Sequence, residues 1–238
     1  MWKEKLMKDI LASKKSCYVG SAAEWRRFIS AWKLHVPSDY QEYSIVKSID
    51  FHPVNDISRR ISAQEKKLGV RFPKSLKDFL CVGEFRKMEA ERNGFLNIEE
   101  IDWLKNVDED YYNIMRDACP DDDDSSFKED QYFKYGKEFF LDANPLPVLL
   151  PGAEKYLLVV AKIAVSDYLF LNTQFKSLDG EFEAVYLMPS LLYRYPNFAE
   201  MLRQYAAADC GLLDAISPCE LEKIDWIGNG LIADPWWN

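Results

Sequence analysis

The chain has little of the chemistry that most enzymes use. Its 238 residues include only two histidines, His35 and His52, which leaves little scope for imidazole general-base catalysis. It has no glycine-rich phosphate loop, no G-x-S-x-G sequence and no H-E-x-x-H sequence. Carboxylates are abundant, but their separation in space cannot be read from a sequence, so they do not identify a glycosidase. We therefore predict a protein that is not an enzyme, with no catalytic residues and no cofactor.

Metal-ligand patterns and long apolar runs are also missing. Five cysteines lie at irregular spacings without a C-x-x-C pair, so we expect no metal site and reduced thiols. The first ten residues carry charge throughout, which predicts no signal peptide. The longest strongly apolar run near the middle, residues 156–161, is too short to span a bilayer. With 48% hydrophobic residues, the chain should be a soluble, cytoplasmic, globular protein without a membrane partner.

The negative charge of the chain is concentrated in one short segment. The whole protein has a formal net charge of −9, and residues 108–130 alone contain ten acidic and two basic side chains. Nucleic acid is a poor partner for such a surface, because phosphate contacts need lysine and arginine. A basic protein is a better partner, because opposite charge raises association rates.

This segment is the main candidate for a partner-binding site. Its acidic residues alternate with aromatic ones, a composition suited to steering and then holding a basic surface. A solvated acidic loop is the simpler alternative, and a calcium site is a third, although residues 121–130 lack the glycine of an EF-hand loop. The candidate residues are Asp108, Glu109, Asp110, Tyr111, Tyr112, Asp121, Asp122, Asp123, Asp124, Phe127 and Tyr132.

The N-terminal half has helical signals. Trp2, Leu6 and Ile10 suggest a short amphipathic helix. A stronger helix should begin at Ser21, which forms a capping box with Glu24. This helix carries four large apolar side chains on one stripe. The stripe could form a partner surface, but we expect it to pack on the protein's own core. Its members are Trp25, Phe28, Ile29 and Trp32.

Two further helices are predicted before the acidic loop. Asn97 can cap a helix with Ile98, Ile101 and Leu104 at helical spacing. A second should run over residues 108–119. Its expected inner face consists of Tyr111, Ile114, Met115 and Ala118.

The C-terminal half changes to strand-like patterns. Residues 156–160, 168–171 and 184–187 read as strands, with turn chemistry at Asp179 and Gly180. No helix fits between these strands, so an antiparallel meander is favoured over parallel crossovers. A helix is expected over residues 197–207, and a further one from Ser217, which is followed by proline at the first helical position.

A helix–glycine–proline–helix pattern over residues 57–85 carries a family resemblance. Gly69 is placed to end the first helix, and Pro73 is suited to open the second. A glutamate, a Leu-Gly pair, an apolar-Pro pair and an aromatic-rich helix follow in order. The residues are Glu65, Leu68, Gly69, Phe72, Pro73, Leu76, Phe79 and Leu80. Over roughly residues 55–207 the chain resembles the SUKH superfamily, which includes the fungal cell-wall-assembly regulators.

The resemblance implies a fold and a function that the composition does not. It implies an α+β domain, an antiparallel-rich β-sheet flanked by helices, which we expect on one side of the sheet. Residues 51–210 would form this domain, residues 1–50 a helical extension packed on it, and residues 211–238 a C-terminal helix and tail. Many bacterial members look like immunity proteins that neutralise a cognate polymorphic or contact-delivered toxin, often a nuclease. A regulatory scaffold of the cell-wall-regulator type is the alternative.

Overall fold

The computed structural model describes most of the chain. It covers residues 18–39, 44–52, 55–86, 94–118, 139–140, 149, 152–188, 191–212 and 231–232. The helix predicted around Leu6, the helix predicted from Ser217 and part of the acidic segment lie outside these residues.

The described ranges contain six α-helices and three short 3-10 helices. The α-helices are α1 (Ala22–His35), α2 (Ile57–Leu68), α3 (Lys74–Leu80), α4 (Leu104–Val107), α5 (Glu109–Ala118) and α6 (Phe198–Asp209). The 3-10 helices are Ile45–Ser48, Ile98–Glu100 and Ala153–Tyr156.

Within the same ranges, nine strands form two antiparallel sheets. They are β1 (Ile49–Asp50), β2 (Glu84–Phe85), β3 (Gly94–Phe95), β4 (Asp102–Trp103), β5 (Phe139–Phe140), β6 (Leu157–Ala164), β7 (Asp167–Lys176), β8 (Phe182–Met188) and β9 (Leu191–Tyr195). β1 pairs with β2, and the other seven follow the order β3-β6-β7-β8-β9-β5, with β4 also paired to β6. The strands β6, β7 and β8 form the predicted antiparallel meander, because their connections are too short for a helical crossover, and β9, which was not predicted, extends it.

Side chains alternate between the two faces of the large sheet, and both faces are buried. Leu169 and Leu171 of β7 belong to one apolar cluster, whereas Tyr168 and Phe170 belong to a second one. Helices α1, α2, α3 and α6 cover the first face, and α4, α5 and the Ala153–Tyr156 turn cover the second. Helices flank the sheet as predicted. The expectation that they would lie on one side only was wrong, because the side chains on both faces of β6 to β8 are apolar and need to be covered.

Helix α1 is part of the larger core, as its apolar stripe predicted. Ser21 is its N-cap, and the hydroxyl of Ser21 accepts a hydrogen bond from the backbone N–H of Glu24. Trp25 is fully buried and packs edge-on against Phe79 of α3, with ring centroids 5.2 Å apart. Its indole N–H donates to the hydroxyl of Tyr18 at 2.9 Å. Burial of this stripe therefore packs α1 against α3.

The pattern at residues 57–85 has a local structural reason. Gly69 ends α2 in the left-handed region, with φ of +69°. The carboxylate of Glu65 turns back and accepts the backbone N–H of Phe72 at 2.7 Å, and Lys77 lies 3.6 Å from it. These contacts offset the unfavourable position of a carboxylate near a helix C-terminus. Pro73 lies one position before the first residue of α3, as its N-cap.

The segment after Asn97 differs from its prediction. Asn97 and Glu100 do form a capping box, but the helix is one 3-10 turn of three residues, and the chain then enters β4. The side chain of Asn97 also bonds both backbone groups of Phe85, at 3.2 and 3.0 Å. Ile101 is buried as the spacing suggested. The helix does not continue because the backbone N–H and C=O groups of β4 form hydrogen bonds with β6.

Candidate interaction surface

The described part of the predicted acidic site is the beginning of α5. Asp108 precedes this helix, and its carboxylate accepts the backbone N–H of Tyr111 at 2.9 Å and the hydroxyl of Tyr168. Lys162 lies 3.7 Å from the same carboxylate. Burial would raise the pKa of Asp108, but the hydrogen bonds and the lysine together hold it below its ordinary value. Asp108 therefore has internal partners, and it anchors the start of α5 to the sheet.

The next residues differ in how far a partner could reach them. Glu109 and Asp110 are exposed, Tyr111 is half-buried and Tyr112 is buried. Tyr111, Tyr112 and Met115 pack on the second face of the sheet, and they lie within an arc of about 100° on the helix. Ile114 falls outside this arc and is 62% exposed. Its predicted place on the inner face was therefore wrong.

The remaining candidates of the acidic segment cannot be placed. Their role in binding stays a prediction, as does that of residues 108–112. They lie outside the described residues and are Asp121, Asp122, Asp123, Asp124, Phe127 and Tyr132.

A carboxylate that the sequence did not single out lies beside the start of α5. Asp167 is the first residue of β7, and it follows the β6–β7 turn, where Val165 is 66% exposed. Burial raises the pKa of Asp167 above its ordinary value. Burial first, and then the charge of Asp167, raise the pKa of Tyr111 to about 12. The predicted segment and Asp167 thus meet at one end of the sheet.

Three further tyrosines lie at this end, on the first face of the sheet. Tyr186 of β8 pairs with Tyr193 of β9, and their rings stack with centroids 6.1 Å apart. Tyr205 of α6 contacts the ring of Tyr186 edge-on at 5.4 Å. Burial raises the pKa of Tyr186 and of Tyr205, and the charge of Asp167 raises both further. We call Tyr111, Asp167, Tyr186 and Tyr205 the tyrosine–carboxylate cluster.

A second carboxylate near the cluster has internal donors. Asp209, at the end of α6, accepts the indole N–H of Trp32 at 2.8 Å and the hydroxyl of Ser44. Burial nevertheless raises its pKa, and its charge adds to the raised pKa of Tyr186 and Tyr205. The surroundings of the cluster are therefore acidic and aromatic, which chemically suits a cation.

Sequence reasoning missed the cluster because its members are far apart in the chain. Asp167 reads locally as a turn residue between two strands, and Tyr186 as an ordinary strand residue. Alternation along β7 and β8 could have placed both side chains on one face. No local signal could have added Tyr205 from α6.

One further set of charged groups in the sheet is interior and paired. Arg194 of β9 donates to the carboxylate of Glu183 on β8, and the amide of Asn172 donates to the same carboxylate at 2.9 Å. All three are buried. The hydrogen bonds of this network are satisfied inside the protein. It therefore helps to fix the strand register and offers no binding site.

The described part of the chain contains neither a group of side chains suited to hold a metal ion nor a helix suited to cross a membrane. Within it, no set of three or more histidine, cysteine or acidic side chains is close enough to hold a metal ion. None of the helices in the same ranges has the length and apolar character needed to cross a membrane.

A known protein family matches a large part of the chain. Residues 58–204, more than half of the chain, match the SMI1 / KNR4 family (SUKH-1). The chain belongs to this family. No curated protein and no solved structure is similar enough to count as a match.

Membership of SUKH-1 confirms the resemblance read from the sequence. The match begins one residue after the start of α2 and includes Glu65, Gly69, Pro73 and the whole meander. It lies within residues 51–210, and the division of the chain at these limits stays a prediction. SUKH-1 membership is compatible with toxin immunity, and the family also includes regulator-like members.

Proposed function

We propose that this SUKH-1 protein is an immunity protein that binds a cognate polymorphic or contact-delivered toxin in the cytoplasm. It would act by stoichiometric binding, without catalysis, and would neutralise the toxin by covering the surface that the toxin needs. The observation that carries the proposal is family membership together with the exposed Glu109 and Asp110 and the half-buried Tyr111 at the start of α5. Tyrosine supplies contact area and carboxylates supply charge, and both are common means of protein recognition.

The charge distribution supports a basic partner, such as a nuclease domain. Residues 108–130 have a net charge of −8, and Glu109 and Asp110 are exposed at the start of α5. Such a segment would raise the association rate with a positive surface. Salt would weaken this attraction, because the Debye length is about 8 Å at physiological ionic strength.

The proposal predicts that a toxin gene lies directly upstream of the gene for this protein, and the decisive test uses that predicted toxin. The toxic domain is expressed alone and together with this chain, and cell survival is measured. We expect survival only with the chain, and inhibition of the purified toxin that is complete at a 1:1 molar ratio. Death of the co-expressing cells, or inhibition only at large excess, would contradict stoichiometric immunity.

A second measurement tests the acidic segment itself. Residues 121–124 are changed from aspartate to asparagine, and association rates with the toxin are measured against ionic strength. We expect a slower rate and a weaker dependence on salt, because four negative charges are removed from the chain. Asp179→Asn, at the opposite end of β7, is the single-charge control. An unchanged rate in the fourfold variant would remove this segment from the mechanism.

A regulatory scaffold is the alternative, because the family includes regulator-like members. A scaffold would leave toxin activity unchanged and would bind a regulatory protein instead. The survival experiment distinguishes the two functions.

A further inference from the structure

We propose that Asp167, Tyr186 and Tyr205 form a subsite for one basic side chain, arginine or lysine, of the partner protein. The inference names the partner chemistry of the proposed function and rests on it for its biological role. It does not require the toxin for its test.

Sheet geometry brings the three side chains together. Asp167 and Leu169 alternate onto the same face of β7, and Leu169 is the direct partner of Tyr186 on β8. Asp167 and Tyr186 are therefore diagonal neighbours on one face, a separation that long side chains can bridge. Tyr205 of α6 contacts the ring of Tyr186, with the two ring centroids 5.4 Å apart. Two partly exposed tyrosines and a partly exposed carboxylate thus lie near the β6–β7 turn.

The carboxylate of Asp167 lacks the internal donors that its neighbours have. Asp108 accepts from Tyr168 and from the backbone, and Asp209 accepts from Trp32 and Ser44. Within the part of the chain that the structure covers, no side chain or backbone N–H donates to Asp167. The carboxylate oxygens of Asp167 are not fully buried, so a partner's cation can reach them and supply charge-assisted hydrogen bonds.

The aromatic neighbours favour a cationic side chain over a neutral donor. A guanidinium or ammonium group gains from lying over a tyrosine ring while it pairs with a carboxylate. The protein already uses this contact elsewhere at the same end of the sheet. Lys162 lies 5.2 Å from the ring centroid of Tyr168 and 3.7 Å from the carboxylate of Asp108. The proposed subsite repeats that arrangement, with the cation supplied by the partner.

The test is a titration of the full chain, labelled with nitrogen-15, with a short peptide that contains one arginine. A peptide in which citrulline replaces arginine has nearly the same shape without the charge and is the ligand control. We expect amide shifts localised at Asp167, Tyr186 and Tyr205 with the arginine peptide alone. Asp167→Asn should weaken this binding roughly tenfold, because the charge-assisted hydrogen bonds to the carboxylate are lost. Asp179→Asn removes one charge at the other end of β7 and should leave it unchanged.

Stability separates a binding role from a structural one. If Asp167 only supported the fold, Asp167→Asn would lower the unfolding temperature. We expect the variant to unfold at the same or a higher temperature, because the change removes a half-buried charge. Tyr186→Phe, which keeps the ring, should retain part of the peptide binding.

Several outcomes would overturn the subsite. They are the absence of localised shifts, equal shifts with the citrulline peptide, and shifts that Asp167→Asn does not reduce. Failure of the subsite is distinguishable from failure of immunity, because cell survival is measured with the toxin and the peptide titration is not.

Discussion

Glu181 is a buried carboxylate whose replacement should change how stability depends on pH. It follows the β7–β8 turn, and only 1% of it is exposed. One carboxylate oxygen accepts the backbone N–H of Ser75 in α3 at 2.9 Å, and the other accepts the Ser75 hydroxyl. Burial raises the pKa of Glu181 from 4.5 to about 7; the bonds from Ser75 and the charge of Lys74 oppose this rise, and the charge of Asp179 adds to it.

The sign follows from linkage between protonation and folding. Because the folded pKa is raised, the protein keeps a proton at Glu181 that the unfolded chain releases. The stabilising effect of that proton is complete below about pH 4.5 and is lost as the pH rises through 7. The full loss is about 3 kcal/mol of unfolding free energy, of which about 2 kcal/mol falls between pH 5.5 and 8.

Urea unfolding of the native chain and of Glu181→Gln at these two pH values measures the effect. Glutamine keeps the shape and removes the titration. We expect the variant to gain about 2 kcal/mol relative to the native chain on going from pH 5.5 to pH 8. Glu109→Gln is the control: it removes an exposed carboxylate, and its unfolding free energy relative to the native chain should change little between the two pH values. The same difference between Glu181→Gln and the native chain at both pH values would refute the reasoning.

Three substitutions in or beside α2 and α3 test the geometry of this helix pair, and each is measured by urea unfolding. Gly83→Ala should prevent stable folding, because its Cβ would lie 1.7 Å from the backbone oxygen of Asp50; a soluble variant of native stability would contradict this close approach. In Gly69→Ala the added Cβ meets no atom within 4 Å, so we expect only the backbone strain of φ +69°, roughly 1 kcal/mol. A much larger loss of unfolding free energy would contradict this open space around Gly69. Glu65→Ala should cost about 1–2 kcal/mol, because the buried N–H of Phe72 loses its acceptor, whereas Glu65→Gln should restore most of it.

Much of the fold could be predicted because its signals are local. The cap at Ser21 and the stripe of Trp25 and Trp32 predicted α1 and its burial, and Gly69 marked the end of α2. The strands β6, β7 and β8 alternate strongly enough for their meander to be recognised. Each of these features depends on residues within one turn or one hairpin, where spacing alone constrains the backbone.

The candidate site was predicted only in part, because it is assembled from distant residues. The sequence indicated Glu109 and Asp110 at the exposed start of α5, but not that Asp108 is held by Tyr168. It contained no sign that Asp167 and Tyr205, thirty-eight positions apart, would come together. Contacts of this kind depend on how α6 docks on the sheet.

By itself, the sequence determined the caps and stops of its helices, the antiparallel meander and membership of SUKH-1. Tertiary structure alone decided that the segment after Asn97 becomes a 3-10 turn and a strand, that Ile114 faces solvent, and that helices cover both faces of the sheet. It also left Asp167 without an internal donor in the part of the chain described. The physical reason is that strand pairing and burial join backbone and side-chain groups that are far apart in the chain, and these contacts outweigh local preference.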